Sequence, residues 1–503
     1  MKFYYIFLTL FTLFSSMLGN AQFSGFNYFM NESQIGEPSI SGSYEFHSPG
    51  QKYVLRGSGN NIWFDQDQFY FLWKEIKGDF LIQSRISFPG EGKHPHRKIG
   101  LMMRENNGTS SPHFSAAVHG DGLTSLQYRL FENGETLEMK ADILMPDIIQ
   151  LEKRGNTILF SYAKEGELFE TVRYDAQNIP GNYLVGLFIC SHDSSSMEEA
   201  IFDNVRLILP APADLVPYQD FLGSHIEVLD IASGTREIIY SSSKSLQAPE
   251  WTKDGKNLIY NSEGKLFQLN LQTRTSREIN TGFAIRNNND HVLSPDGNWQ
   301  GISHHAEEDN SVSMIYILPA GGGTPKKITS KGPSYLHGWS PDGKYLTYTG
   351  GRDGNYDIFK IPIKDKKEIR LTNSPALDDG SEYSPDGKYI YFNSARTGSM
   401  QIWRMKPDGS DQEQLTFDKF NNWFPHVSPD GKSIVIISYF PEVPAEDHPF
   451  YKHVYIRMMP ADGGPVKVLA ALYGGQGTIN VNSWSPDGKN IAFVSNTGFP
   501  EGN

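Results

Sequence analysis

Histidine, carboxylate, arginine and amide side chains gather at two recurrent places in the C-terminal half of this 503-residue sequence. One place lies just ahead of a repeated Ser-Pro-Asp-Gly turn and holds His291, His337, Asp378, Asp379, Glu382, Asn422, Trp423, His426, Gln476 and Asn480. The other follows the strand after each turn and holds His304, His305, Arg352, Asp353, Arg396 and the insertion from Tyr439 to His453. Imidazole moves a proton near neutral pH or binds a divalent metal, carboxylates act as acid, base or ligand, and arginine grips a carboxylate with two bonds. The expected roles follow from those chemistries. His337, His426, Asp379 and Glu382 are the candidate acid–base groups. Arg352, Arg396, Trp423, Asn422 and Asn480 are candidates to hold substrate. His291, His305, His453 and Gln476 are candidate ligands for one divalent ion. An anionic or heavily hydroxylated oligosaccharide or polysaccharide suits such a mixture.

Plainer readings stand beside these. His291 and His337, each three residues before its turn, also read as equivalent strand positions satisfied by their neighbours. His426, two before its turn, should then point the other way, and of the pair His304-His305 only one can face a shared funnel. Asp378-Asp379 also reads as a solvated turn, and Arg352 and Arg396 as bridges between repeats.

The elements that must position these groups are written in the turn. Lys253-Asp254-Gly255 and five Ser-Pro-Asp-Gly tetrads, at Ser294, Ser340, Ser384, Ser428 and Ser485, space their aspartates by 42, 46, 44, 44 and 57 residues. Proline presets the first corner, aspartate bonds its own backbone and glycine takes the positive φ, so each tetrad closes a hairpin. A period in the forties with four short strand patterns per unit predicts a six-bladed β-propeller. Ser224–Ile231 and Asn490–Asn496 are expected to share the closing blade. If the tetrad joins the first two strands on one face, the candidate residues lie on the other.

Upstream, alternating segments such as Asp79–Ile86 and Thr157–Tyr162 read as strands with one wet and one dry face. The whole chain is therefore expected to be all-β: a signal peptide over 1–21 cleaved after Ala21, a β-sandwich over 22–210, a Pro- and Ala-rich linker over 211–219 and the propeller over 220–503. The loop Lys93–Lys98, "KHPHRK", reads as solvated and basic rather than as a metal site.

Two resemblances sharpen these expectations. "GSGNNIW" (Gly57–Trp63), "FYFLWKEIKGDFLIQSRI" (Phe69–Ile86), "KIGLMMREN" (Lys98–Asn106) and "FDNVRL" (Phe202–Leu207) resemble concanavalin-like, laminin-G-type jelly rolls, which implies a sugar-binding or spacer module. The repeated tetrad with its trailing "KYIYF" type of strand resembles six-bladed TolB-like propellers, a repeat also used by oligogalacturonate lyases. The lyases hold a metal through His and Gln for β-elimination, which implies a role for Gln476. The match is broken where Asn480 and Asn482 stand in place of histidines. TolB itself has an α/β domain where this chain has the predicted β-sandwich.

The formal charge of −13 and a pI near 5.6 exclude nucleic acid or an anionic membrane as the main partner. No stretch after the leader is apolar enough to span a bilayer, and the single cysteine, Cys190, leaves no internal disulfide. No Gly-x-Ser-x-Gly elbow occurs, which argues against a serine hydrolase. Two functions remain open: a secreted or periplasmic enzyme acting on an oligosaccharide as a metal-assisted lyase or glycosidase, and a non-catalytic scaffold binding a glycan or an envelope protein.

Overall fold

A computed structural model describes residues 27–179 and 181–499. The expected leader, residues 1–21, lies outside them. Every regular element except two single-turn 3₁₀ helices is a strand, and no helix among the described residues is long and apolar enough to cross a membrane.

The N-terminal residues form two antiparallel sheets. One runs in the order Asn31–Ile35, Gln66–Lys77, Asn182–Cys190, Lys98–Arg104, His113–His119, Leu123–Arg129, Leu137–Leu144, with Asn61–Trp63 paired to Gln66–Lys77. The other runs Glu170–Asp175, Thr157–Ala163, Ile148–Arg154, Phe80–Ser87, Asp193–Ile208, Lys52–Gly59, Ser43–His47. Alternation turns one face of each inward, so Leu72, Leu101, Val118 and Val185 meet Leu55, Ile82, Leu151 and Phe202 in a shared apolar cluster.

Five four-stranded sheets and a composite sixth follow, giving a six-bladed propeller. The innermost strands are Gln247–Trp251, Asn287–Leu293, Ser334–Trp339, Asp378–Tyr383 and Asn421–Val427. In the sixth blade Trp484 bridges to Ile491 of Asn490–Thr497, which pairs with Gly223–Asp230 from the start of the propeller. Chain closure therefore joins both ends of the ring and leaves only the outermost strands of the blades as edges.

Each tetrad is a hairpin corner. In the fourth blade Ser384 Oγ donates to Asp386 Oδ1 at 2.7 Å, Tyr389 N donates back to Ser384 Oγ at 3.0 Å, and Gly387 takes φ +71°. The same serine–aspartate bond recurs at Ser294, Ser340, Ser428 and Ser485, and from Thr252 to Asp254 in the first blade. Tryptophans one residue before the turn stitch neighbouring blades: Trp339 Nε1 donates to the Val292 carbonyl at 2.9 Å and Trp484 Nε1 to that of His426 at 3.0 Å.

The two halves are ionically joined. Glu227, on the first propeller strand, accepts from Arg206 of the second sheet at 2.6 Å and from Arg236 at 3.0 Å, and all three are buried. The two guanidinium groups pull the Glu227 carboxyl well below its ordinary value against the opposing effect of burial, the largest single influence. The segment between the halves packs on the propeller too: Ala211 N donates to Tyr473 OH, and the Tyr218 ring meets Phe450 edge-on at 5.0 Å.

Candidate functional site

The innermost strands of the first five blades all break register. Pairing skips between Gln247 and Glu250, Asn287 and His291, Leu336 and Gly338, Asp379 and Glu382, and Trp423 and His426. Such a bulge inserts unpaired residues, bends the strand and re-aims side chains. Phe424 and Gly380, with φ of +51° and +66°, sit in two of them.

These bulges surround a cavity of about 1120 Å³. No tetrad residue lines it, so it opens on the face opposite the repeated turn. Its wall carries amides, including Gln247, Asn288, Asn289, Asn355, Gln476 and Asn480, and aromatic rings, including Tyr218, Tyr335, Tyr356, Phe424 and Phe450. Among them stand Asp290, His337, Asp379 and His448.

His337 is the bulge residue between Leu336 and Gly338, which swings its ring off the alternation of its strand. Its Nε2 lies 2.9 Å from Asp379 Oδ1, an ion pair without aligned hydrogen-bond geometry. Asp379 also accepts from Thr349 Oγ1 and, at 2.7 Å, from Gly380 N. Burial, the largest single influence, would raise the Asp379 carboxyl, but His337 first, then His448 and the Thr349 hydroxyl, together bring the value down to about 2. Burial opposes charge on His337 as well, yet Asp379 and then Asp290 raise its pKa overall. Asp290, hydrogen-bonded by Asn288 Nδ2 at 2.7 Å, is pushed by burial up to about 6, with Asp379 adding to the rise and His337 opposing it. Consecutive blades thus supply a carboxyl, an imidazole and a carboxylate. His448 covers this floor, its ring 4.4 Å from Trp423 and 5.5 Å from Phe424, and burial lowers its pKa.

The residues singled out in the sequence divide at the bulges. His305, His337, Asp379, Gln476 and Asn480 line the cavity, with Asn480 Nδ2 donating to Gln476 Oε1 at 3.1 Å. Those downstream of a bulge pack between blades instead. His291 pairs with Ile302, is fully buried, and is lowered by burial to about 4. His426 has both nitrogens engaged, Nδ1 by Glu382 Oε2 at 2.8 Å and Nε2 by the Ile479 carbonyl. Glu382 also accepts from Val427 N at 2.9 Å, as Glu250 does from Leu293 N at 2.7 Å, so a glutamate at this position fastens the first blade to the second and the fourth to the fifth.

Others belong to scaffolding elsewhere. Arg352 is paired with Glu368 at 2.9 Å, and Arg396 with Asp378 at 2.8 Å. Asn422 accepts from Ser438 Oγ and Arg457 inside the fifth blade, and Trp423 is fully buried beneath His448. His453 faces the other half of the chain, 3.2 Å from Glu152 Oε1. The expected metal set is therefore split: His305 and Gln476 line the cavity, His291 is buried between blades and His453 lies at the junction of the halves. That distribution does not fit a single ion in the funnel.

Sequence reasoning did not single out Asp290. Its signal was the polar run Asn287-Asn288-Asn289-Asp290, which interrupts alternation where the strand bulges.

Comparison with known proteins agrees with this architecture. Residues 336–442 match the TolB beta propeller domain family. Uncharacterized protein Atu1656 of Agrobacterium fabrum is 47% identical over 272 residues, which make up 54% of this chain and 92% of that one. The chain belongs to the TolB-like β-propeller family. A solved structure described as "putative TolB from Agrobacterium tumefaciens" is 45% identical to this TolB-like chain, with a TM-score of 0.53 over 56% of this chain and all of that one. An oligogalacturonate lyase from Vibrio parahaemolyticus is a distant likeness, 13% identical with a TM-score of 0.35 over 53% of this chain and 76% of that one.

Proposed function

We propose that the funnel of this TolB-like propeller binds a polyhydroxylated ligand, an oligosaccharide or the end of a polysaccharide, in a secreted or periplasmic setting. The observation that carries the reading is the lining: amides that both donate and accept, interleaved with aromatic rings, around a cavity of about 1120 Å³. Sugar hydroxyls pair with such amides, and the apolar faces of sugar rings stack on such aromatics. The two N-terminal sheets, read as a concanavalin-like jelly roll, act as an accessory module beside it.

A second reading, that the funnel also breaks a glycosidic bond, is favoured by one observation. Asp290, His337 and Asp379 line one floor from consecutive blades, His337 Nε2 lying 2.9 Å from Asp379 Oδ1, and burial raises the Asp290 carboxyl while His337 lowers that of Asp379, the divergence that separates an acid from a base. Proton transfer would run through these side chains.

A glycan array followed by turnover assays tests both. Tyr335→Ala and Asn288→Ala are expected to weaken a captured glycan about tenfold each, the effect of losing one stacking or paired contact. Absence of any captured glycan refutes the proposal, and recovery of an envelope protein that the same substitutions release would replace it with the scaffold function. Binding without turnover removes the catalytic reading alone.

A further inference from the structure

Four histidines of the N-terminal half meet away from the funnel. His94 and His96 lie on the loop Lys93–Lys98, His119 ends the strand His113–His119, and His192 lies between Asn182–Cys190 and Asp193–Ile208. Ring centroids are 4.2 Å apart for His94 and His192, 5.6 Å for His96 and His192, and 5.8 Å for His96 and His119. Asp121 joins them, its Oδ2 3.6 Å from His96 Nδ1. One ring nitrogen each of His96 and His119 and a carboxylate oxygen of Asp121 lie within 4.8 Å of one another.

The arrangement is held from behind. Gly120 N donates to the Arg97 carbonyl and Asp121 N to that of Pro95, both at 2.8 Å, and the buried Arg97 is paired with Glu198 at 2.6 Å. The loop that reads as solvated in the sequence is thus fixed against the hairpin carrying His119 and Asp121.

Two nitrogens point to a ligand. His119 is only 5% exposed; its Nε2 lies 3.0 Å from Gln127 Nε2, and because the Gln127 oxygen is itself buried without a partner, turning that amide over lets the oxygen accept from His119 Nε2–H and leaves a lone pair on Nδ1, which is buried with no hydrogen-bond partner. His192 Nδ1 is buried and unpartnered as well. Unpaired buried imidazole nitrogens are costly, and a metal bond to the lone pair satisfies them while the opposite nitrogen is held by an outer partner such as Gln127. Imidazoles with a single carboxylate suit a zinc-like ion, whereas calcium or magnesium would want more oxygen.

We infer that His96, His119 and Asp121 form a binding site for a divalent transition-metal ion of the zinc class, with His192 available to complete the set. The ion would tie the loop, the hairpin and the turn at His192 into one unit.

The test uses the full chain, free of tags and stripped with a chelator. Zinc titration by calorimetry is expected to show one saturable site, and cobalt in its place to give the visible absorption of a four-coordinate centre. His96→Ala and Asp121→Asn, both at solvent-accessible positions, should each weaken zinc at least about tenfold and abolish the zinc-dependent rise in melting temperature. Absence of one-to-one uptake overturns the inference. So does uptake unaltered by both substitutions, including uptake lost instead in His337→Ala.

Discussion

Replacing Asp379 by asparagine keeps the shape of the funnel floor and removes the charge that holds His337. The Asp379 carboxyl is brought from 3.8 to about 2 in spite of burial, which corresponds to roughly 2 kcal/mol of preference for the charged form in the folded chain. A depressed carboxyl lends stability above its unfolded value near 3.8, and that contribution disappears as pH falls through about 2. His337, raised above 6.5, lends stability below 6.5 that is lost as pH rises through its folded value. The pair therefore contributes most between about pH 4 and 6.5. Asp379→Asn, His337→Gln and the double variant, unfolded in urea at pH 3, 5.5 and 9 with tryptophan fluorescence as probe, form a cycle that isolates the pair from the nearby Asp290. A coupling of about 2 kcal/mol is expected at pH 5.5, shrinking at both extremes. Coupling below about 0.5 kcal/mol at pH 5.5, or equal coupling at all three values, would show that His337 and Asp379 are neighbours without being a functional ion pair.

Two further outcomes follow from buried charge. Glu227→Ala leaves Arg206 and Arg236 unpaired at the junction of the halves and should cost about 3–5 kcal/mol, read as a lower urea midpoint; a loss under about 1 kcal/mol refutes the role of the triad. Asp290, raised from 3.8 to about 6, makes the folded chain lose up to roughly 3 kcal/mol of stability as pH rises from about 4 to 6, so Asp290→Asn should gain on the parent chain over that interval; parallel stability–pH curves would contradict it.

Much of the frame was legible because it is local. Each Ser-Pro-Asp-Gly tetrad carries its own corner, hydroxyl–carboxylate bond and positive-φ glycine, so counting tetrads predicted the blades and naming their outer face pointed to the opposite one. Strict alternation then misled. It treated His291 and His337 as equivalent because each stands three residues before its turn, but Asn287 and His291 bracket one bulge while His337 occupies another. The slip sends His337 into the cavity and His291 between blades.

Pairings across long stretches of chain were likewise invisible. Nothing near His426 in the sequence announces Glu382, 44 residues earlier, or the Ile479 carbonyl, and nothing near His453 announces Glu152, 301 residues away. The sequence by itself determined the repeat, the turn chemistry and the face on which polar side chains collect, since these depend on neighbours along the chain. Only the tertiary structure decided which side chains reach the funnel and which histidines meet at His119, because bulges and inter-blade packing are set by partners that the chain brings together only on closing.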